Sequence, residues 1–355
     1  ETPELEVTVT GDVDACGGLT PTSNAAWVSA AWLGATETTG GTVTLRILGD
    51  TTPAGRPEAT VRLTPEHDEM QGVELKVRPY AWGEAGAGTP PRVLVVGMDG
   101  IRADAVRTAD TPSLDMLRRH AAWSYQAHTQ LQTQTISGPG WASVMTGVDA
   151  GKHGVTSNDN AQMEGHDPDF PSFLARAKAT GLRTCAAVHW VPVLLLAGLD
   201  HLDETRFGDD EGVTKAMAAW LAEDRCDVHF VHLDAPDTAG HDTGFSLENP
   251  AYMSAIEASD GHLGALLTAL LERPGFATED WLVVVTTDHG GEGTKHGPQN
   301  AVNQTIFFVA AGARLQAGEL PAGEASHLDV HPTVMRFLGH APPASWGLDG
   351  AVRGL

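Results

Sequence analysis

An α/β chain is expected: a doubly wound, mostly parallel sheet flanked by helices, preceded by a small β-rich, sandwich-like domain. Three observations predict it. Residues 1–90 alternate apolar and polar side chains in short runs between Gly-, Pro- and Thr-rich turns. From Arg92 onward, continuous apolar runs alternate with amphipathic helical stretches. The Gly/Pro-rich segment 84–91 separates the two patterns and sets the boundary between domains 1–90 and 91–355.

In the first domain, Leu5–Thr10, Thr42–Leu48, Ala59–Leu63 and Val73–Val77 read as half-exposed strands. Asp12-Val13-Asp14 lacks the later acidic ligand of a calcium loop and reads as a turn. No catalytic constellation stands out in this domain, and its role is unassigned. In the second, Val93–Met98 is a central parallel strand, and Thr111-Pro112 caps and starts a helix. Further strands are expected at Thr184–His189, Asp227–Leu233, Trp281–Thr287 and Thr305–Ala310. Helices are expected at Phe170–Thr180, Val213–Glu223, Ala251–Glu272 and His331–Leu338. Ligands of such sheets bind beyond the carboxyl ends of the strands.

Composition narrows the partners. The formal net charge of -24 argues against a nucleic-acid polymer or an anionic membrane surface. No apolar run reaches the length of a membrane span. The first residue is Glu1 rather than Met, which reads as processing or trimming. Together with the acidity it suggests a secreted or periplasmic protein. Cys16, Cys185 and Cys226 match no thiolate metal spacing.

The run Ser137-Gly138-Pro139-Gly140-Trp141 reads as a turn presenting a hydroxyl. A neutral serine is a poor nucleophile and needs an activator. Just past the strands stand Asp99, Asp237, His241, Asp288 and His289, with His296 shortly after. Such a set converges cheaply only around cations, because bare carboxylates would raise one another's pKa. Two divalent ions suit it: mixed Asp/His donors favour zinc, with manganese or iron acceptable. Two neighbouring cations also clamp an in-line displacement at phosphorus and would activate Ser137.

Val95–Gly100, the Ser-Gly-Pro-Gly-Trp run ending in Thr146-Gly147, Pro236–His241 and Thr287–Gly291 resemble the alkaline phosphatase superfamily. The branch they resemble is the type I phosphodiesterase/nucleotide pyrophosphatase group, over residues 92–340. The resemblance implies an alkaline phosphatase-like catalytic domain with one metal on Asp237, His241 and a third histidine. The other metal would sit on Asp99, Asp288, His289 and the nucleophile. The nucleophile slot falls on Ser137, where that branch often has threonine; Thr135 is the fallback. Asn158 falls where the branch has an asparagine contacting a phosphoryl oxygen, and a surface turn is an equal reading. His296 fits as the third histidine, with His327, His331 and His340 as alternatives; His327 and His331 flank Asp329 at a helix start, where capping suits them.

The expected function is a two-metal hydrolase of phosphate esters acting through a phosphoseryl intermediate on a small-molecule phosphodiester or nucleotide-type ester. A phosphomonoesterase of the same superfamily is the alternative. A sulfatase-like hydrolase is weaker, because Ser137 and Trp141 stand where that family has a modified cysteine and the following arginine. A non-catalytic metal- or carbohydrate-binding protein is the rival from another class. Leaving group, loaded metal and oligomeric state are not specified.

Overall fold

The computed structural model describes residues 89–129 and 132–355, together with six strands before residue 78. Asp12, Asp14, Cys16 and residues 84–88 lie outside the described residues. The chain divides into two compact units, Glu1–Ala81 and Trp82–Leu355.

The first unit holds two three-stranded antiparallel sheets. One orders β1 (Glu4–Thr10), β4 (Gly40–Ile47) and β3 (Val28–Glu37); the other orders β2 (Leu19–Ser23), β5 (Ala59–Pro65) and β6 (Val73–Val77). On β5, Val61 and Leu63 are buried while Arg62 and Thr64 are exposed, the two-residue alternation visible in the sequence. The sequence pattern points to four of these strands but not to β2 or β3, whose residues do not alternate cleanly.

The second unit is built on an eight-stranded sheet. Its strands are β7 (Pro91–Met98), β8 (Ala121–His128), β9 (Thr184–Val188), β10 (Glu204–Phe207), β11 (Val228–Leu233), β12 (Asp280–Thr286), β13 (Thr305–Ala311) and β14 (Gly318–Glu319). Their order is β10-β9-β11-β7-β12-β13-β8-β14. The five strands from β10 to β12 run parallel, and β13 is antiparallel to both its neighbours. β7, β9 and β12 are largely apolar runs because both faces of the sheet are covered, and β11 is buried likewise with two histidines among its apolar residues.

One helical layer packs α1 (Pro112–Arg118), α5 (Asp210–Ala222) and α6 (Ala235–Thr243) against the long α7 (Pro250–Leu271). The other contains α2 (Ser137–Thr146), α3 (Phe173–Ala179), α4 (Pro192–Ala197) and α8 (Val330–Phe337). This is the doubly wound architecture the sequence predicts.

Three features differ from expectation. The Ser-Gly-Pro-Gly run is the first turn of α2, not a free turn: Gly140 N–H donates to the Ile136 carbonyl at 3.0 Å. Proline is tolerated in a first helical turn, where its missing N–H would have no intrahelical partner. Second, β8 joins the sheet, with Trp123 and Tyr125 alternating along it. Third, Cys185 on β9 and Cys226, just before β11, form a disulfide. Their separation of 41 residues gives no pairing signal, and only strand adjacency brings them together.

The sheet order positions the site. β11, β7 and β12 are parallel neighbours in register, with Leu233 opposite Met98 and Thr286 opposite Gly97. The residues that follow them, Asp234, Asp99 and Asp288, therefore leave the sheet side by side at one edge.

Candidate active site

Asp99 follows β7 directly and is buried. Its Oδ2 accepts from the Trp141 indole at 2.8 Å and from His232 Nε2 at 3.0 Å. Its Oδ1 has no hydrogen-bond partner. Asp288 Oδ1 takes the Gly100 N–H at 3.3 Å, and its Oδ2 is buried without a partner. His289 Nε2 lies 3.3 Å from Asp288 Oδ2 and 3.6 Å from Asp99 Oδ1.

A second group forms beside the first. Asp237 and His241 stand four apart on α6 and so share a helix face. Asp210 anchors that helix start, accepting the Asp234 and Ala235 N–H groups at 2.9 and 3.0 Å. His296 arrives from the loop before β13. His241 Nε2 lies 3.3 Å from Asp237 Oδ2, and His296 Nε2 lies 3.7 Å from Asp237 Oδ1, which has no hydrogen-bond partner.

The histidine tautomers follow from their backbone contacts. Nδ1 of His241, His289 and His296 donates to the carbonyls of Thr294, Gly290 and Thr135, at 3.0, 2.9 and 3.0 Å. Each Nε2 lone pair therefore faces the site, as in a metal-ligating imidazole. His241 and His296 bring their Nε2 atoms within 2.9 Å of each other. Two lone pairs at that distance repel unless a cation or a proton lies near them.

Charge crowding points the same way. Burial, then the charges of Asp99, Asp288 and Asp234, push the Asp237 carboxyl up to about 10. Burial raises Asp288 to about 7, and burial followed by Asp288 raises Asp99. Burial and the neighbouring His289 hold His296 down at about 3. Orphaned buried oxygens, inward lone pairs and carboxyls starved of positive charge together form a donor set that fits divalent cations. The ligand atoms in Asp99, Asp288 and His289 lie within 4.8 Å of one another, as do those in Asp237, His241 and His296. A third group, Asp99 with His232 and Asp234, meets the same distance criterion but does not fit a cation. His232 Nδ1 accepts the Trp190 N–H at 3.4 Å, and its Nε2–H is spent on Asp99.

Ser137, the first residue of α2, places Oγ 3.3 Å from His289 Nε2. Asn158 Oδ1 accepts the Gly138 N–H at 2.8 Å, so Asn158 sits beside the serine rather than in a remote turn. A side chain at position 138 is excluded, because a Cβ there would fall 2.4 Å from the Ser157 carbonyl. Thr135 donates its hydroxyl to the Pro298 carbonyl at 3.1 Å, and its own carbonyl holds His296. His327 and His331 join neither ligand group: Ser326 and Asp329 form the capping box there, His327 is buried with its ring hydrogen-bonded to the Asp288 backbone, and His331 Nδ1 donates to Met145 O at 2.8 Å. His340 lies in the loop beyond α8 and belongs to neither group. Asn303, which opens the formal glycosylation triplet Asn303-Gln304-Thr305, is buried with its amide on the Pro298 carbonyl at 2.9 Å.

Sequence reasoning missed His232. The available signal was a histidine interrupting the apolar run Phe230-Val231-His232-Leu233 of a strand covered on both faces.

Comparison with known proteins identifies the family. Residues 93–333 match the sequence profile of type I phosphodiesterase / nucleotide pyrophosphatase. The bovine (Bos taurus) bis(5'-adenosyl)-triphosphatase ENPP4 is 24% identical over 230 residues, covering 59% of this chain and 49% of that protein. A 2,3-bisphosphoglycerate-independent phosphoglycerate mutase of Chloroflexus aggregans is 31% identical over 140 residues, covering 37% of this chain and 24% of that one. The chain thus spans at most about half the length of these curated relatives. Among solved structures, human ectonucleotide pyrophosphatase / phosphodiesterase 5 superposes with a TM-score of 0.60 at 15% identity, over 73% of this chain and 97% of that one. A 2-O GAG sulfatase gives a TM-score of 0.60 at 15% identity, over 74% and 73%.

Fold and site together define a member of the alkaline phosphatase superfamily, with two groups of residues fit to hold metal ions. Within it, the chain belongs to the type I phosphodiesterase/nucleotide pyrophosphatase family.

The raised carboxyls make a pH prediction for the metal-free protein. A carboxyl whose folded pKa exceeds its unfolded value binds more protons when folded. Its contribution is complete below the unfolded value of 3.8 and is lost as pH rises through the folded value. Depressed histidines act oppositely, but only below their ordinary 6.5. Between about pH 7 and pH 10 the Asp237 carboxyl, at about 10, therefore dominates. The melting temperature of chelated protein should fall steadily across that range, and added zinc should raise it most at the alkaline end. A flat profile in chelator would show that these carboxyls do not crowd one another.

Proposed function

We propose that the chain is a two-metal phosphodiesterase of small nucleotide-type esters, with Ser137 as nucleophile. The observation that carries this reading is the Ser137 hydroxyl at 3.3 Å from His289 Nε2, among the orphaned oxygens of Asp99 and Asp288. Asp99, Asp288, His289 and Ser137 would hold one cation, and Asp237, His241 and His296 the other. Bound there, two divalent cations, zinc by preference with manganese or iron accommodated, supply Lewis-acid charge that lowers the serine pKa and offsets the phosphoryl charge.

The chain's own groups do the rest. Ser137 Oγ attacks phosphorus, the bond to the leaving oxygen breaks, and a phosphoserine forms that water then cleaves. The start of α2 aims the hydroxyl, with Gly138 permitting the close approach of residues 157–158. Asn158, oriented through its Oδ1, has amide N–H donors for a phosphoryl oxygen. Thr135 holds His296 through its carbonyl and has its hydroxyl engaged on Pro298, which favours Ser137 over Thr135 as nucleophile. The Cys185–Cys226 disulfide supports a secreted or periplasmic setting. No helix among the described residues is long and apolar enough to cross a membrane.

The test compares turnover of bis-p-nitrophenyl phosphate and p-nitrophenyl phosphate, with chelator and after restoring zinc or manganese. The diester should be the faster substrate, and chelator should abolish both rates. A faster monoester would convert the reading to a phosphomonoesterase. No hydrolysis of either with metal restored would favour a binding protein.

A further inference from the structure

The two oxygens of Asp99 are held unequally, and this bears on the two-cation centre on which the present inference rests. Oδ2 receives two N–H donors, from Trp141 at 2.8 Å and His232 at 3.0 Å, while Oδ1 receives none. Both donors are fully buried and fixed in turn. The Trp141 indole lies over Gly97, where a Cβ would fall 2.4 Å from a ring carbon. It also meets Phe230 and His232 edge-on, with ring centres 6.0 and 4.9 Å apart. His232 is fixed as the Nε2–H tautomer by the Trp190 N–H at its other nitrogen, and its carbonyl takes the His189 N–H at 3.1 Å. Turning Asp99 to offer Oδ2 would strand two buried donors at once, which the interior disfavours.

We propose that Trp141 and His232 are positioning residues that restrict Asp99 to ligation through Oδ1 alone, keeping its cation distinct from the one held by Asp237, His241 and His296. Neither residue belongs to the second ligand group, so their loss acts on one cation only. Changes to groups that orient a ligand weaken metal binding by about 10- to 100-fold.

Cobalt provides a readout independent of turnover. Wild type, Trp141→Phe, His232→Leu and His232→Gln are titrated with cobalt against a competing chelator, and the visible absorption of each bound class is recorded. Wild type should bind two ions. Trp141→Phe and His232→Leu should weaken one class by about tenfold or more and shift its absorption, leaving the other class unchanged. His232→Gln, which keeps an N–H donor, should stay close to wild type. Unaltered affinities and spectra in Trp141→Phe and His232→Leu would overturn the inference, as would a His232→Gln protein as impaired as His232→Leu. If both Trp141→Phe and His232→Gln fail to fold, as read by near-ultraviolet dichroism and melting, the two residues hold the core rather than the carboxylate, and the inference again falls. A wild type that binds fewer than two ions would instead bring down the two-cation reading, and this inference with it.

Discussion

Ser137→Ala is expected to lower kcat for a phosphodiester by on the order of 10³-fold or more, since loss of a nucleophile removes the reaction's first bond. The same change should leave the fold and cation binding largely intact. Ser137 does not cap α2, and the contact of its hydroxyl in the site is the 3.3 Å approach to His289. Stability, read by melting, should therefore change by no more than in a surface substitution, about 0.5 kcal/mol. Stopped-flow release of p-nitrophenol should show a burst in wild type, if hydrolysis of the phosphoserine is slower than its formation, and none in the variant. Thr135→Ala is the control: it removes a hydroxyl committed to the Pro298 carbonyl but keeps the backbone carbonyl that holds His296. Full activity in Ser137→Ala with activity lost in Thr135→Ala would transfer the attack to Thr135.

Asp237→Asn should separate stability from activity. The neutral amide no longer offers a carboxylate to the cation shared with His241 and His296, and kcat/KM should fall by on the order of 10³-fold. The metal-free protein should become more stable at pH 9, because the residue pushed up to about 10 by burial and three neighbouring carboxylates no longer has a charge to suppress. A gain of about 1 kcal/mol or more, roughly 2–4 °C in a domain of this size, would be resolved by melting in chelator. A destabilised variant would mean that the Asp237 side chain contributes to packing rather than to a charge-starved centre. Stability withheld from the empty site and returned by its ligand is a common arrangement at functional centres.

Most of this is legible in the sequence. The apolar runs of β7, β9, β11, β12 and β13 stand out because strands covered on both faces are largely apolar. Asp99, Asp237, Asp288 and His289 stand out because they follow those strands or their first helical turn, at the edge where parallel sheets bind ligands. His296 is weaker in sequence: its loop could have gone elsewhere, and it is placed by a backbone contact to Thr135 that spacing does not encode. The start of α2 was hidden by glycine and proline, residues that signal turns locally. They are tolerated there because Gly138 and Gly140 lie hard against Ser157 and Asp288.

The sequence by itself determined the fold class and the residue types at the carboxyl edge, because periodicity and strand-end chemistry are local properties of the chain, and the resemblance of its motifs pointed to the family. Tertiary structure alone decided which lone pairs point inward, which oxygen of Asp99 is open, and that Cys185 meets Cys226. Those outcomes depend on strand order and on side chains more than a hundred residues apart, such as Asp99 and His232, whose encounter no local pattern records.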